Sequence, residues 1–493
     1  MKILNANQTR RLEEAAVKRG KTYLELMRNA GESAARQLLK CGLKKDDTLS
    51  VICGHGNNGG DGFVLAAYLH ELEYKVYVIL ADGEPKTDDA SAMFERVKQK
   101  NIPILTLNDG NCLEVIKNSA WVADALYGIG FRGALDERLF PILDSIRGKV
   151  MAIDLPSGVQ CDTGKIETRS FNADVTVTFS TLKLAHVLFP SAEYCGDVYV
   201  RQVGIPQEVY EQSEYIAVMT DKEMFGGIFG RKKNTHKGTY GTAVCVCGSY
   251  GMAGAGILSG SAALRSGAGL VKMCVPKEIY PITAARLTEA VFAPYSDICE
   301  AVQVCKKASA VLIGCGLGAG EKTAEAIRLI AENTDCPIVI DADGINSICG
   351  HIDILRRGNI VLTPHPLEFQ RISGFDKQRI SSDRIGCAKE FAVRYGVCTV
   401  LKGADTVIAF PDGEVFVNPT GNAGMAKGGS GDVLSGMTVS LLAQGTDMKT
   451  AVLCAVYAHG LAGDIAAQEL GMTAMLPGDM INCLGKVFKE MMR

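Results

Sequence analysis

The sequence predicts two α/β domains in tandem, each built on an open parallel sheet. Three observations carry that prediction. Short apolar runs alternate with helix-like stretches twice along 493 residues, a length too great for one ordinary core. The apolar runs end in loops rich in Gly, Asn, Asp, His and Lys, at the edge where open α/β sheets bind ligands. Between the two alternations, Ile205-Pro-Gln-Glu-Val-Tyr-Glu-Gln-Ser-Glu214 loses apolar periodicity and gathers glutamates. A linker is therefore expected around 206–222, with domains at 1–212 and 223–493.

In the first domain, residues near 7–19 and 22–40 read as helices, with Leu12, Ala15, Ala16 and then Leu24, Met27, Ala30 at helical spacing. Leu49-Ser-Val-Ile-Cys53 is a strand. Gly54-His-Gly-Asn-Asn-Gly-Gly-Asp-Gly62 follows, and a helix opens at Phe63. Strand, glycine loop and helix form a phosphate-binding unit. A tight turn capped by Asp61 would need neither Asn57 nor Asn58, so the loop reads as a binding site. Strands follow at 75–80, 120–126, 150–154, 174–179 and 198–203, and helices at 88–100 and 139–146. Asp124 and Asp154 fall near strand C-termini. Two carboxylates beside an amide-bearing glycine loop favour function over loop-holding.

In the second domain, strands are expected at 242–247, 269–275, 310–314, 337–341, 359–363 and 397–402. All but 269–275 lead into a polar or small-residue loop: 248–256, 314–318, 341–346, 363–369 and 403–406. The densest loop is Gly421-Asn-Ala-Gly-Met-Ala-Lys-Gly-Gly-Ser-Gly-Asp432, followed by a helical apolar pattern from Val433. A helix starting near Ser430 aims free N–H groups and its positive dipole end at a bound anion, with Asp432 in the first turn. An ordinary N-cap at Ser430 or Asp432 is the plainer alternative. The loop is not a Walker A motif, since no Gly-Lys-Ser/Thr follows the glycines. His365, fixed between two prolines, is a further candidate.

Composition narrows the classes. Hydrophobic residues at 47% and charged residues at 22% suit a soluble globular protein. A net charge of −3 gives no electrostatic footprint for nucleic acid or anionic lipid. The basic cluster within 229–242 reads as a solvated face or a phosphate-facing loop. No apolar run is read as long enough to span a membrane, and the N-terminal residues lack a signal-peptide core. The 17 cysteines include no CxxC pair and sit mostly in strand-like runs. They read as reduced, buried thiols of a cytoplasmic protein. The seven histidines, with no HExxH, suggest no metal site.

The loop 54–62, Ala123-Asp-Ala-Leu-Tyr-Gly128 and Asp154-Leu-Pro-Ser-Gly158 together resemble the NAD(P)H-hydrate epimerase domain, over about the first 210 residues. The resemblance implies a Rossmann-like three-layer fold. It places Asn57, Asn58, Gly59, Gly60 and Asp61 on the hydrated nicotinamide nucleotide. It places Gly128, Ile129, Gly130, Phe131, Arg132, Gly133 and Ala134 there too. It further implies that Asn58, Asp124 and Ser157 ligate K⁺ and that Asp154 acts at the hydrated ring. His55 stands where the family usually has proline, which touches no ligand.

The second domain resembles the ribokinase-like fold and, within it, the ADP- or ATP-dependent NAD(P)H-hydrate dehydratases. Gly254 and Ala255, the loop 314–318, Thr363-Pro-His-Pro-Leu-Glu368, residues 402–406 and residues 421–432 carry the match in order. It implies that Lys402, Gly403, Ala404, Asp405 and Thr406 hold the adenine nucleotide. Asn422, Gly428, Gly429, Ser430 and Gly431 do the same. Ala255, Gly316, His365 and Asp432 meet the hydrated dinucleotide. Phosphoryl transfer to a ring hydroxyl needs a base, for which Asp432 is the candidate, and usually Mg²⁺ with ADP or ATP.

The expected function is metabolite repair. One domain would interconvert R and S hydrates of NADH and NADPH; the other would dehydrate the S form using ADP, giving AMP and phosphate, or ATP. The expected partners are these small molecules and further copies of the chain, not nucleic acid or membrane. A small-molecule kinase with a fused regulatory domain, and a first domain reduced to a binding module, are the rivals.

Overall fold

The computed structural model describes residues 1–492, which form two compact units, Met1–Ile216 and the chain from Ala217 onward.

The strands of the first unit are β1 (Lys2–Leu4), β2 (Thr48–Cys53), β3 (Lys75–Leu80), β4 (Ile104–Thr106), β5 (Trp121–Ala125), β6 (Lys149–Ile153), β7 (Val175–Phe179), β8 (Leu182–Lys183) and β9 (Asp197–Arg201). The main sheet has the order β4-β3-β2-β5-β6-β7-β9 and is parallel throughout. β1 and β8 pair separately, also in parallel. Side-chain alternation gives the sheet two buried faces. Val51, Ala123 and Met151 pack with Met27, Leu38, Phe63 and Phe94 on one side. Ile52, Val122 and Ala152 pack with Ile116, Leu139 and Ile142 on the other. The result is three layers. The helices Ala6–Lys18 and Tyr23–Lys40 begin at reciprocal capping boxes, Asn5 with Gln8 and Thr22 with Glu25.

The second unit adds β10 (Ala217–Met219), β11 (Thr242–Val246), β12 (Leu270–Pro276), β13 (Val291–Tyr295), β14 (Ala310–Ile313), β15 (Ile338–Ile340), β16 (Ile360–Leu362), β17 (Cys398–Leu401), β18 (Thr406–Ala409) and β19 (Val415–Asn418). Their order is β13-β12-β11-β14-β15-β16-β17-β18-β19-β10. β13 to β17 are parallel. β18 joins antiparallel to both neighbours, and β10 runs parallel to β19. The helix Ser430–Ala443 is buried at every residue from Val433 onward. It crosses the helix Ala253–Arg265 closely: a Cβ on Gly436 would lie 2.2 Å from the Ser259 carbonyl oxygen.

Three features differ from the sequence reading. The helix expected to open at Phe63 runs Asn57–Glu71, so Asn57 to Asp61 form its first turn. Glycines there give close packing: a Cβ on Gly59 would lie 2.0 Å from the Gly54 carbonyl oxygen. The stretch 206–222 is ordered, with a helix at Gln207–Gln212 and β10. Finally, the 23-residue helix Met448–Leu470, with mean hydropathy 1.4, is long and apolar enough to cross a membrane. It is a core helix of its unit, since 67% of its most apolar window is buried there.

Candidate active sites

In the first unit the candidate residues gather where β2, β5 and β6 end. Asn58, in the first helical turn, has a buried side-chain amide nitrogen with no partner. Gly128 tucks between it and Asp154: a Cβ there would lie 3.2 Å from Asn58 Oδ1 and 3.2 Å from Asp154 Oδ2. Asp124 is fully buried. Its Oδ1 accepts from Ser157 Oγ (2.6 Å) and the Leu126 amide (3.2 Å), and its Oδ2 accepts from the Ser157 amide (2.7 Å). Burial pushes its carboxyl up to about 6 against those bonds. Ser157 Oγ also accepts from the Tyr127 amide at 2.9 Å.

Asp154 follows β6 in the left-handed region, φ +67°, a costly conformation for a residue with a side chain. The conformation turns its carboxylate onto Lys183 Nζ, 2.7 Å from Oδ1. Thr178 Oγ1 also donates to Oδ1 (3.0 Å), and Lys183 Nζ donates to Thr178 Oγ1 (2.6 Å). Burial opposes the charge on Asp154, but the Lys183 ammonium outweighs it and holds the carboxyl below the ordinary range. The Lys183 amide donates to His186 Nδ1 at 3.0 Å. His186 Nε2 therefore carries the proton and donates to the Asp154 carbonyl oxygen at 2.9 Å. Burial lowers this histidine to about 4, so it is neutral.

Glu13 and Asp61 face the same pair. Burial raises Glu13 to about 7, with Lys183 opposing and Asp154 reinforcing the rise. Burial raises Asp61 well above the usual range, again with Asp154 adding to it. One ammonium thus faces three carboxyls, and only Asp154 is held ionised by it.

The other expected residues are less tightly gathered. Asn57 Oδ1 accepts from Thr87 Oγ1 at 2.7 Å. Gly59 and Gly60 are buried, Gly60 against Met27 and Ala90. In the loop 128–134, Phe131 stacks on Tyr127 with ring centroids 5.1 Å apart, and Arg132 pairs with Asp162 at 3.1 Å. Ile129 packs among Ala6, Leu155 and Val159. Gly130, Gly133 and Ala134 are exposed.

In the second unit the sequence singled out Asp432 and Lys402, and the structure joins them through Asp341. This buried carboxylate follows β15. Its Oδ1 takes Lys402 Nζ at 2.9 Å and the Ala342 amide at 2.9 Å. Its Oδ2 accepts from Ser435 Oγ at 2.7 Å. Burial opposes ionisation of both partners, yet their mutual attraction wins: Asp341 lies below and Lys402 above its ordinary value. Lys402 also faces the start of the helix Ser430–Ala443, since a Cβ on Gly431 would lie 3.1 Å from Nζ.

The N-cap of that helix is Gly429, φ +100°, and no side chain caps it. Ser430 Oγ is buried without a partner, and the Ser430 carbonyl accepts from His459 Nε2 at 2.9 Å. Asp432 therefore sits in the first turn without serving as a cap. Burial raises its carboxyl to about 6, with Asp341 adding to the rise and a hydrogen bond from Cys315 opposing it. Ala255 and Gly316 touch: a Cβ on Gly316, φ +63°, would lie 2.8 Å from Ala255 Cβ.

His365 caps its own helix, Pro366–Ser373. Its Nδ1 accepts from the Leu367 and Glu368 amides at 3.2 and 3.3 Å, and Nε2 lies 3.3 Å from Glu368 Oε1. Only its exposed edge is free for a substrate. Asn422 is committed within its loop, donating to Asp464 Oδ1 at 2.9 Å and accepting from the Gly424 amide at 2.9 Å. Gly428 is exposed. Thr406 starts β18, and its Oγ1 donates to the Gly403 carbonyl at 2.9 Å. Arg384 holds the turn from the opposite side, donating to the carbonyls of Leu401, Lys402 and Ala404 at 3.1, 3.2 and 2.7 Å. Asp405, φ +49°, is raised to about 6 by burial, with Arg384 opposing.

Sequence reasoning missed Glu13, Thr178, Lys183 and His186 in the first unit, and Arg384, Ser435 and His459 in the second. Asp341 carried a usable signal, because it ends an apolar run as Asp154 does. Ser435 follows the glycine loop 421–431 but sits inside an apolar helical run, and the others lie in stretches with no glycine loop to mark them.

Two family models match the chain. Residues 243–486 match the family described as NAD(P)H-hydrate dehydratase, and residues 23–185 that described as YjeF-related protein N-terminus. A bifunctional NAD(P)H-hydrate repair enzyme, Nnr, of Thermofilum pendens is 34% identical over 512 residues, covering 100% of this chain and 97% of the relative. The chain belongs to the bifunctional NAD(P)H-hydrate repair enzyme family. The Escherichia coli member is 34% identical, covering 98% of this chain and 93% of its own. A solved ribokinase-like superfamily protein of Enterococcus faecalis is 28% identical, with a TM-score of 0.52, covering 56% of this chain and 96% of that one. The chain is thus a bifunctional enzyme, an epimerase joined to a ribokinase-like dehydratase.

Proposed function

We propose that Asp154 with Lys183 forms the epimerase centre and that Asp432, over the Asp341–Lys402 pair, is the base of the dehydratase. The activities are interconversion of the R and S hydrates of NADH and NADPH, and dehydration of the S hydrate at the expense of ADP or ATP.

The observation that supports the dehydratase assignment most is the uncapped first turn of the helix Ser430–Ala443. The Ser430 amide turns back to the Lys427 carbonyl at 3.3 Å, but the Gly431 and Asp432 amides have no backbone acceptor among the described residues and are free for phosphate, and Asp432 caps nothing there. A ring hydroxyl is a poor leaving group until phosphorylated. Asp432 takes the hydroxyl proton as the oxygen attacks the terminal phosphorus. Lys402 and the N–H groups of Gly428, Gly429 and Gly431 stabilise the phosphoryl charge. The phosphoanhydride bond breaks and AMP (or, from ATP, ADP) leaves; the ring phosphate then departs as the adjacent ring carbon gives up a proton to solvent, and the ring double bond returns. The loop 421–431 has no carboxylate, so Mg²⁺ would be held chiefly by the nucleotide phosphates, whose charge it neutralises. Hydrated NADH incubated with ADP or ATP should regain reduced-nicotinamide absorbance with release of phosphate. Accumulation of a phosphorylated dinucleotide would instead establish a kinase.

In the epimerase, Asn58, Asp124 and Ser157 are our K⁺ ligands. Asp124 Oδ2 keeps a lone pair beyond its one bond, and Ser157 Oγ faces the same edge. The unpaired buried Asn58 amide supports a ligand there. A half-turn of that carboxamide, which leaves its shape unchanged, presents an oxygen in place of the nitrogen. K⁺ would supply charge for the substrate phosphates. Epimer exchange should be faster in potassium than in sodium, and Asp124→Ala should erase the difference; equal rates in the parent would remove the metal assignment. Hydrated dinucleotide, ADP and ATP are the partners we assign, together with homo-oligomerisation. The free, mostly buried cysteines support a reducing, cytoplasmic setting.

A further inference from the structure

Beneath Asp432 lie two thiols that the dehydratase reaction does not use. Cys315, on the loop after β14, has its Sγ 3.8 Å from Asp341 Oδ2, and its thiol donates to Asp432. One ligand atom from each of Cys315, Asp341 and Asp432 lies within 4.8 Å of the others. A second thiol, Cys247, stands next to Cys315 and the two interact electrostatically. β11 and β14 are neighbours in register, Val246 opposite Ile313. The Gly248 amide donates to the Cys315 carbonyl at 2.8 Å and keeps the two loops together beyond the strands.

We infer that Cys247, Cys315, Asp341 and Asp432 form an inhibitory binding site for a thiophilic divalent cation, Zn²⁺ in particular. Two sulfur and two oxygen donors are a tetrahedral set that Zn²⁺ accepts and Mg²⁺ does not favour. Zn–S and Zn–O bonds of about 2.3 and 2.0 Å draw Cys315, Asp341 and Asp432 inward from their separation of at most 4.8 Å, and Cys247, behind Cys315, turns in to complete the set. Lys402 does not block the ion, because its ammonium sits on Asp341 Oδ1 while Cys315 approaches Oδ2. Asp341 and both thiols are buried, whereas Asp432 is partly exposed, so the site is closed toward the core and open at Asp432. On binding, each ligating thiol releases its proton to solvent and becomes a thiolate. The ion then holds the carboxylate that must take the substrate's proton. Inhibition, unlike binding, rests on our reading of Asp432 as the base.

The test uses the whole chain and the metals alone. Equilibrium dialysis should find Zn²⁺ bound at one equivalent per chain. Co²⁺ at the same site should show a thiolate charge-transfer band in the near ultraviolet. Cys315→Ser and Cys315→Ala should each diminish that band and weaken Zn²⁺ binding at least about tenfold, no less than loss of an outer-shell partner costs. Calorimetric ADP binding checks that these variants are folded; Cys247→Ser is the second probe if Cys315 variants are not. Zn²⁺ should suppress the dehydratase, leave epimer exchange running, and be reversed by a chelator. Absence of the thiolate band, or equal Zn²⁺ binding by parent and folded thiol variants, would overturn the site. Tight binding with the band and undiminished turnover would leave the site standing and remove Asp432 as the base.

Discussion

Asp432 has two possible uses, and its geometry separates them. A cap would accept an amide proton of its own helix, but Gly429 occupies the cap position and no side chain bonds there. Asp432→Asn keeps size and polarity and removes only the base. It should lower dehydratase turnover by about 10²–10⁴ while ADP binding and melting temperature stay near the parent's. Loss of a cap would show the reverse, about 1 kcal/mol of stability with turnover intact. Because burial raises this carboxyl to about 6, the parent's dehydratase activity should fall as pH drops through that value and the base is protonated. At Asp154 the decisive neighbour is Lys183, 2.7 Å away. Lys183→Met keeps the bulk of the side chain, removes its charge, and leaves Asp154 buried among Glu13 and Asp61 without a counter-ion. Epimer exchange should fall at least about 10²-fold, as for loss of a general base, while nucleotide-dependent loss of the S hydrate continues in the same sample. Unchanged exchange would show that Asp154 need not be ionised. Asp154 was legible because it ends an apolar run in a Pro-Ser-Gly turn. Lys183, 29 positions later by the numbering, follows a strand with no loop motif, and only tertiary packing brings it back.

The units of strand, glycine loop and helix were legible because strand and helix periods differ and glycine marks the change. The same glycines misplaced the start of the helix Asn57–Glu71. Its first turn is glycine-rich to pack against β2 and β5, with a Cβ on Gly62 lying 2.5 Å from Ala125 Cβ, so composition read as loop what is helix. The hairpin of β18 and β19 was hidden for a related reason: it lies between two nucleotide-loop candidates, and its strands are only 4 residues each. The helix Met448–Leu470 supports the nucleotide loop through His459, whose Nε2 holds the Ser430 carbonyl. Burial lowers this histidine to about 4 from an ordinary 6.5. Above about 6.5 both folded and unfolded chains carry it neutral. Between that value and about 4 only the unfolded chain is protonated, so stability falls as pH falls, by on the order of 3 kcal/mol in all, and levels off below. Carboxyls with raised values, Asp124, Asp405 and Asp432, act with the opposite sign in an overlapping window. The difference between parent and His459→Gln, which keeps an N–H for Ser430, isolates the histidine. The variant's melting temperature should lose less than the parent's between pH 7 and pH 5; parallel curves would show that His459 is not held neutral.

At the scale of the whole molecule, each unit has its own core and its own candidate site. Residues Met27 to Val177 supply the main core of the first, and residues Phe225 to Met491 that of the second. Units with separate cores fold separately as a rule. The expected linker 206–222 was read from lost periodicity and gathered glutamates, signals that cannot locate a three-residue strand. β10 lies inside it and pairs with β19, Val218 opposite Phe416, and Thr220 extends the ladder by donating to the Val417 carbonyl at 2.9 Å. Ile216, just before, donates to the Ile3 carbonyl of the first unit at 2.9 Å. The cut that leaves both sets of bonds intact therefore falls after Ile216. Fragments 1–216 and 217–493 should each be folded, the first exchanging R and S hydrates and the second removing the S hydrate with ADP or ATP. A fragment starting at 223 loses β10 and leaves β19 as an unpaired edge, so it should melt lower and aggregate more readily than 217–493. Equal melting of the two shorter and longer fragments would show that β10 adds nothing to the second unit. Failure of 217–493 to bind nucleotide at all would show that the dehydratase needs the first unit in the same chain.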